Sequence, residues 1–170
     1  MISETQKIAL GGGCHWCTEA VFQSLKGVVK VEQGYVASKE ENASFSEAVI
    51  VHFFTKQNSL QALIEIHLHT HKSTSNHSMR EKYRSAIYVF SEEQKKECQQ
   101  LLSELQSDFK DKLITKVLFF NEFKPSRTQI TNYYFNNPEK PFCRQFINPK
   151  LKLLLANFSE KTETAKLAHL

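Results

Sequence analysis

Residues 7–36, KIALGGGCHWCTEAVFQSLKGVVKVEQGYV, decide the fold. A short apolar run (residues 6–10) reads as a strand, breaks into three consecutive glycines, and restarts as a helical pattern from Cys14 to about Leu25 that Gly27 stops. The whole chain holds only five glycines, one tryptophan and four cysteines. Gly11, Gly12, Gly13, Trp16, Cys14 and Cys17 all fall inside the seven residues GGGCHWC, while Cys98 and Cys143 lie far along the chain. Glycines let another group approach the main chain closely. A thiol at the start of a helix meets unpaired N–H groups and the positive end of the macrodipole, and both favour the reactive thiolate. Cys14 therefore stands where a nucleophile is expected. The glycine run lacks the Lys-Ser/Thr of a phosphate loop and the spacing of a dinucleotide fingerprint.

Outward from that stretch, 170 residues make one domain with room for a core. We place a single catalytic domain at 1–158 and a polar tail, expected to fray, at 159–170. A net charge of +4 is spread along the chain, which argues against a nucleic-acid partner. No run approaches the roughly 18 apolar residues that span a bilayer, and the start lacks the features of a secretory signal. The expectation is a cytoplasmic monomer with no membrane association. Four cysteines in a reducing compartment point to catalysis, metal binding or burial rather than a disulfide framework.

Strands are expected at 28–36, 45–54, 84–90 and 114–121, and helices at 59–69, from Ser91 to about Phe109, at about 127–136 and at about 149–157. Ser59 reads as an N-cap, and Ser91-Glu92-Glu93-Gln94 has the capping-box form. Strands and helices alternate loosely with two strands in succession, so the fold class is α/β in the α+β sense: a mixed sheet covered by helices. Cys14-His15-Trp16-Cys17 is a C-x-x-C pair, which suggests dithiol chemistry. A zinc site would need further ligands, such as His67, His69 and His71, and these read better as solvent-facing residues at a helix end; no metal is expected.

GGGCHWCTEAVFQSLKGVVKVEQGYV resembles the amino-terminal motif of the peptide methionine sulfoxide reductase A family, GGCFWG-x-E followed by a helix and G-x-GY. EKYRSAIYVF resembles that family's QYRSAIY segment, and TNYYFNNPEKPFC its HQQYL-x-x-NP-x-x-YC end. The resemblance implies that family's two-layer sandwich and a reductase converting methionine-(S)-sulfoxide, free or in proteins, to methionine. It implies no bound cofactor, with thioredoxin, or dithiothreitol in vitro, as reductant. By position, Cys14 matches the nucleophile, Glu47 the acid that protonates the sulfoxide oxygen, and Tyr83 a hydroxyl that holds that oxygen. Trp16 matches the aromatic against the substrate methyl, His15 the phenylalanine that forms another wall of that pocket, and Phe45 either a second tyrosine that bonds the sulfoxide oxygen or the histidine before the acid. Cys143 is the first candidate for the resolving thiol and Cys17 the alternative, whereas Cys98 is a bystander.

The chemistry suits those residue types. A sulfoxide sulfur is attacked readily only as its oxygen gains a proton, so a nucleophile needs an acid and a donor beside it. A carboxyl on an apolar strand, between Phe45 and Ala48, is desolvated toward its protonated form. Glu19 is another carboxylate near Cys14 and reads as structural. Several positions depart from the motifs: His15 replaces a phenylalanine, Ser78 an aspartate, and Arg127 and Ile130 an acid and a histidine. About ten residues are missing between Tyr35 and Glu47. The same residues also admit a thiol redox sensor or binding protein that uses Cys14 and Cys17 without turning over sulfoxides.

Overall fold

A computed structural model describes residues 5–170. β1 (Thr5–Gly11) runs into α1 (His15–Gln23), then β2 (Val28–Ala37) and β3 (Ser46–Phe54) follow in succession. α2 (Leu60–Thr70), β4 (Ala86–Val89), α3 (Glu92–Leu105), β5 (Lys116–Phe119) and β6 (Glu122–Pro125) come next, then α4 (Tyr133–Asn136) and α5 (Asn148–Asn157). Among the described residues, six strands form one sheet in the order β5-β4-β1-β3-β2-β6. Every neighbouring pair is antiparallel except β4–β5, which is parallel and joined through α3. This is the mixed, helix-covered sheet that the alternation of elements predicts.

The two-residue period of the central strands sorts their side chains. Ile8, Leu10, Val49, Val51 and Phe53 face the helices and join Phe22, Leu63, Ile64, Leu151 and Leu154 in the main core. Ala9, Ala48, Ile50 and Tyr88 face the other way, into a smaller cluster capped by Phe90, Leu118, Phe120 and Phe123. Glu47 shares the parity of Val49 and Val51, so the strand directs its carboxyl to the helix side. Both predicted caps form: Ser59 Oγ accepts the Ala62 N–H, and Ser91 Oγ accepts the Gln94 N–H at 3.1 Å while the Gln94 side chain accepts the Phe90 N–H.

Three expectations are corrected. The strand expected over 114–121 stops at Phe119, and the next four-residue strand sits on the opposite edge of the sheet. The Phe120 N–H still bonds to Val89 O while the Asn121 N–H bonds to Ala37 O, so the chain crosses the second face between the two edges. The helix expected at 127–136 is a 3-10 turn at Thr128–Ile130 followed by the single turn α4, because Asn132 adopts φ 54° between them. The tail does not fray: Thr162 pairs with Leu25, Leu167 is buried, and the Tyr134 hydroxyl bonds to His169 Nε2 at 2.6 Å. Its apolar Leu167 finds a slot in the main core, which a reading of mean polarity overlooks.

Candidate active site

The turn after β1 brings the site together. A Cβ on Gly11 would lie 2.8 Å from Glu47 O, and one on Gly12 would lie 2.4 Å from the His71 ring. The glycines are there because a strand on one side and an imidazole on the other leave no space for side chains. Among the described residues, a Cβ on Gly13 would meet nothing within 4 Å, so the close approaches are at Gly11 and Gly12. Arg80 fastens the turn to the loop after α2, its Nη1 donating to both Gly12 O and Tyr83 O at 2.8 Å. The same loop is stitched to β3: the Glu47 N–H and the Ser46 hydroxyl both donate to Lys82 O, and the Arg84 N–H donates to Ser46 Oγ at 2.7 Å.

Cys14 is the N-cap of α1 and is half-buried, with its backbone oxygen accepting the Cys17 N–H at 3.0 Å. Its sulfur makes no capping bond of the usual kind. The Cys17 thiol, and after it the backbone amides of Trp16 and Cys17, are the neighbouring donors that favour its thiolate. Against burial and the Glu47 charge, these donors hold the Cys14 thiol below its ordinary value. The same bond, together with burial, pushes the Cys17 thiol well up. A cavity of about 20 Å³ behind the sulfur is lined by Cys17, His67, His71 and Lys150. Lys150 donates to Thr70 O, and burial lowers its ammonium while the two thiols oppose that shift.

Glu47 is 7 % exposed. Its Oε1 accepts the His15 backbone N–H at 3.1 Å and lies 3.5 Å from His15 Nε2. Its Oε2 lies 3.8 Å from Lys82 Nζ. Lys82 Nζ lies 5.1 Å from the centre of the Tyr83 ring, and the neighbouring Tyr83 hydroxyl, followed by Glu47, holds its ammonium above the usual range. Cys14 and Glu47, the nucleophile and acid expected from the sequence, thus lie together at the start of α1, and Tyr83 stands beside Lys82. Sequence reasoning missed Lys82 altogether. The only signal for it was its place beside Tyr83.

Trp16 stacks on Tyr133 at 4.0 Å and 8°, and Phe142 meets it edge-on at 5.3 Å. Both partners come from the TNYYFNNPEKPFC block. Phe45, 43 % exposed, lines a surface groove with Tyr35, Arg127 and Ile130. His15 is no open wall: it is buried, with Nδ1 held 2.8 Å from Gly34 O and its ring edge-on to Tyr35 at 5.1 Å. Tyr35 stands directly across from Glu47 in the sheet.

Cys143 is fully buried at the start of a π-helical turn (Cys143–Ile147), and burial raises its thiol. Cys98 is buried inside α3, and burial pushes its thiol up to about 12. Glu19 is structural. Its carboxylate accepts Gln33 Nε2 and the N–H groups of Asn132 and Tyr133, so α1, β2 and α4 meet on one side chain. The histidines at the end of α2 are not solvent-facing as a set: His67 Nε2 bonds to Gly11 O and His71 bonds to Ser85 Oγ, both packed under the glycine turn. His69 alone is near the surface, where it meets Asp108 at 3.3 Å.

The description "Peptide methionine sulfoxide reductase" belongs to the family model that matches residues 6–163. The chain belongs to that family. The peptide methionine sulfoxide reductase MsrA of Sulfolobus acidocaldarius is 32 % identical over 166 residues, covering 89 % of this chain and 94 % of the relative. Among solved structures, reduced Mxr1 from Saccharomyces cerevisiae superposes with a TM-score of 0.72 at 22 % identity, over 82 % of this chain and 90 % of that one. Mxr1 in complex with Trx2 gives 0.62 at 22 % identity, over 74 % and 84 %. The chain is accordingly an oxidoreductase with the sulfoxide reductase fold.

Proposed function

We propose that the chain reduces methionine-(S)-sulfoxide, free or within a polypeptide, with Cys14 as nucleophile and Glu47 as acid. One observation carries this reading. A thiolate-favoured sulfur at a helix N-terminus and a buried carboxyl are held together by the carboxyl's bond to the very next backbone amide. The Cys14 thiolate attacks the sulfoxide sulfur while Glu47 gives a proton to the sulfoxide oxygen. The sulfur–oxygen bond breaks, the oxygen passes to Cys14 as a sulfenic acid, and methionine leaves. Tyr83 and the Lys82 ammonium beside it supply donors toward that oxygen. The stacked Trp16 and Tyr133 supply an apolar surface for the methyl group.

A second thiol then displaces water from the sulfenic acid and leaves a disulfide. The existing contact between Cys17 and Cys14 supports Cys17 for this step. Cys143, sealed in the core, would follow once the π-helical turn opens. A thioredoxin-like dithiol would reduce the final disulfide, as the complex of the structurally similar Mxr1 with Trx2 suggests.

The test is turnover of the separate S and R epimers with dithiothreitol. The S epimer alone should yield methionine, and Cys14→Ser should abolish it. No turnover, with a Cys14–Cys17 disulfide forming readily, would make the protein a dithiol sensor instead. With thioredoxin as reductant, Cys17→Ser is expected to lose more of the steady-state rate than Cys143→Ser; the reverse order would return the first disulfide to Cys143.

A further inference from the structure

We propose that His15 and Glu47 hold a single proton between them, and that His15 is a positioning residue that keeps the acid loaded. This rests on the assignment of Glu47 as the acid. His15 occupies the place of the phenylalanine in the family's GGCFWG motif, a side chain that can hold no proton, so the device belongs to this chain's own sequence.

The argument starts from a tautomer. His15 Nδ1 lies 2.8 Å from Gly34 O, and a carbonyl oxygen can only accept, so Nδ1 carries a hydrogen. In the neutral ring Nε2 is then a bare lone pair. That lone pair faces Glu47 Oε1 at 3.5 Å, inside a site where His15 is 4 % and Glu47 7 % exposed. A lone pair against a carboxylate oxygen in so dry a place is unfavourable, and one proton removes the conflict, as carboxylic acid against imidazole or as carboxylate against imidazolium. The geometry is fixed from both ends. Oε1 is pinned by the His15 backbone amide, while Nδ1 and the edge of Tyr35 hold the ring.

The charged and titratable groups around the pair are Glu19 and Cys14 beside α1, Tyr35 on β2, and Lys82 from the loop before β4. Glu19 feels the imidazolium charge, and Lys82 meets only the other oxygen, Oε2. Neither sits between Nε2 and Oε1. When the sulfoxide oxygen takes its proton, the pair is left as carboxylate and neutral imidazole, and it regains one proton from solvent before the next cycle. Replacing the imidazole removes the second atom on which this proton can reside.

The test is the single-turnover rate of methionine formation from the S sulfoxide, against pH, in wild type, His15→Phe and His15→Gln. Near pH 6 all three are expected to agree within about twofold, while by about pH 8.5 both variants fall roughly tenfold below wild type, a shift of about one pH unit in the alkaline limb. Profiles that differ by one constant factor at every pH would overturn the proposal and leave His15 a packing role.

A second measurement needs no turnover and no His15 variant. In 15N spectra at neutral pH, the His15 Nε2 resonance should be that of a proton-sharing nitrogen in wild type and shift to the unprotonated limit in Glu47→Gln. An unchanged resonance would overturn the pairing. A shared proton in a protein that makes no methionine would sink the reductase reading and leave the pairing standing.

Discussion

At Cys14, the donor with the largest effect on the sulfur is another thiol, that of Cys17. A hydrogen bond donated to a charged acceptor contributes about 1.5–3 kcal/mol, enough to move an ionisation by a pH unit or more. Because the Cys17 bond lowers the Cys14 thiol, removing it must raise that thiol. In Cys17→Ala, the pH at which iodoacetamide alkylates Cys14 at half its limiting rate should therefore rise by about one unit. An unshifted profile would mean that the two backbone amides suffice. Residues of this kind are legible in a sequence when their chemistry is local. Cys14 could be placed because a strand, glycines and a helix start follow one another along the chain. Glu47 could be placed only through its resemblance to a family motif. Lys82 could not be placed at all, because its partners Glu47 and Tyr83 are joined by a loop that folds back on β3, and no local pattern records that fold.

At the scale of elements, Glu19 ties α1 to β2 and α4, and the last contact spans more than a hundred residues of chain. It also places a negative side chain at the N-terminus of α4, where two amides would otherwise lack partners. Glu19→Ala would leave those amides and Gln33 Nε2 unsatisfied in a half-buried position, at a cost of about 2–4 kcal/mol. Urea unfolding should show the midpoint falling with an unchanged slope. A loss under about 0.5 kcal/mol would show that water replaces the carboxylate. Long periodic elements with caps, such as α2 and α3, were legible down to the capping serines. The short strand β6 was not. Its four residues end in Pro125, which an edge strand tolerates, and its pairing with β2 depends on a chain crossing that periodicity cannot reveal.

Across the whole molecule, the packing of His67 and His71 under the glycine turn makes stability depend on acid. Burial lowers His67 to about 4 and His71 well below its ordinary 6.5. Both are neutral when folded, so below about 6.5 the unfolded chain binds protons that the folded chain does not. Stability is therefore complete above that pH and declines as pH falls toward 4, by up to about 1.4 kcal/mol per pH unit for each histidine. Thermal unfolding between pH 7.5 and 5 should show this decline, and His67→Gln should flatten it; equal slopes would assign the acid sensitivity to other groups. The expectation of solvent-facing histidines failed for a physical reason. A helix end looks exposed in sequence, yet here it is roofed by the turn that carries Cys14.

The central claim is that Cys14 takes the oxygen from a sulfoxide, and one measurement bears on it most directly. Fully reduced protein, freed of reductant, is given methionine-(S)-sulfoxide, and methionine and remaining thiols are counted per chain. The account predicts one methionine with two thiols consumed, Cys14 among them, and none from Cys14→Ser or from the R epimer. An undiminished yield from Cys14→Ser, or no methionine from the intact protein, would contradict it.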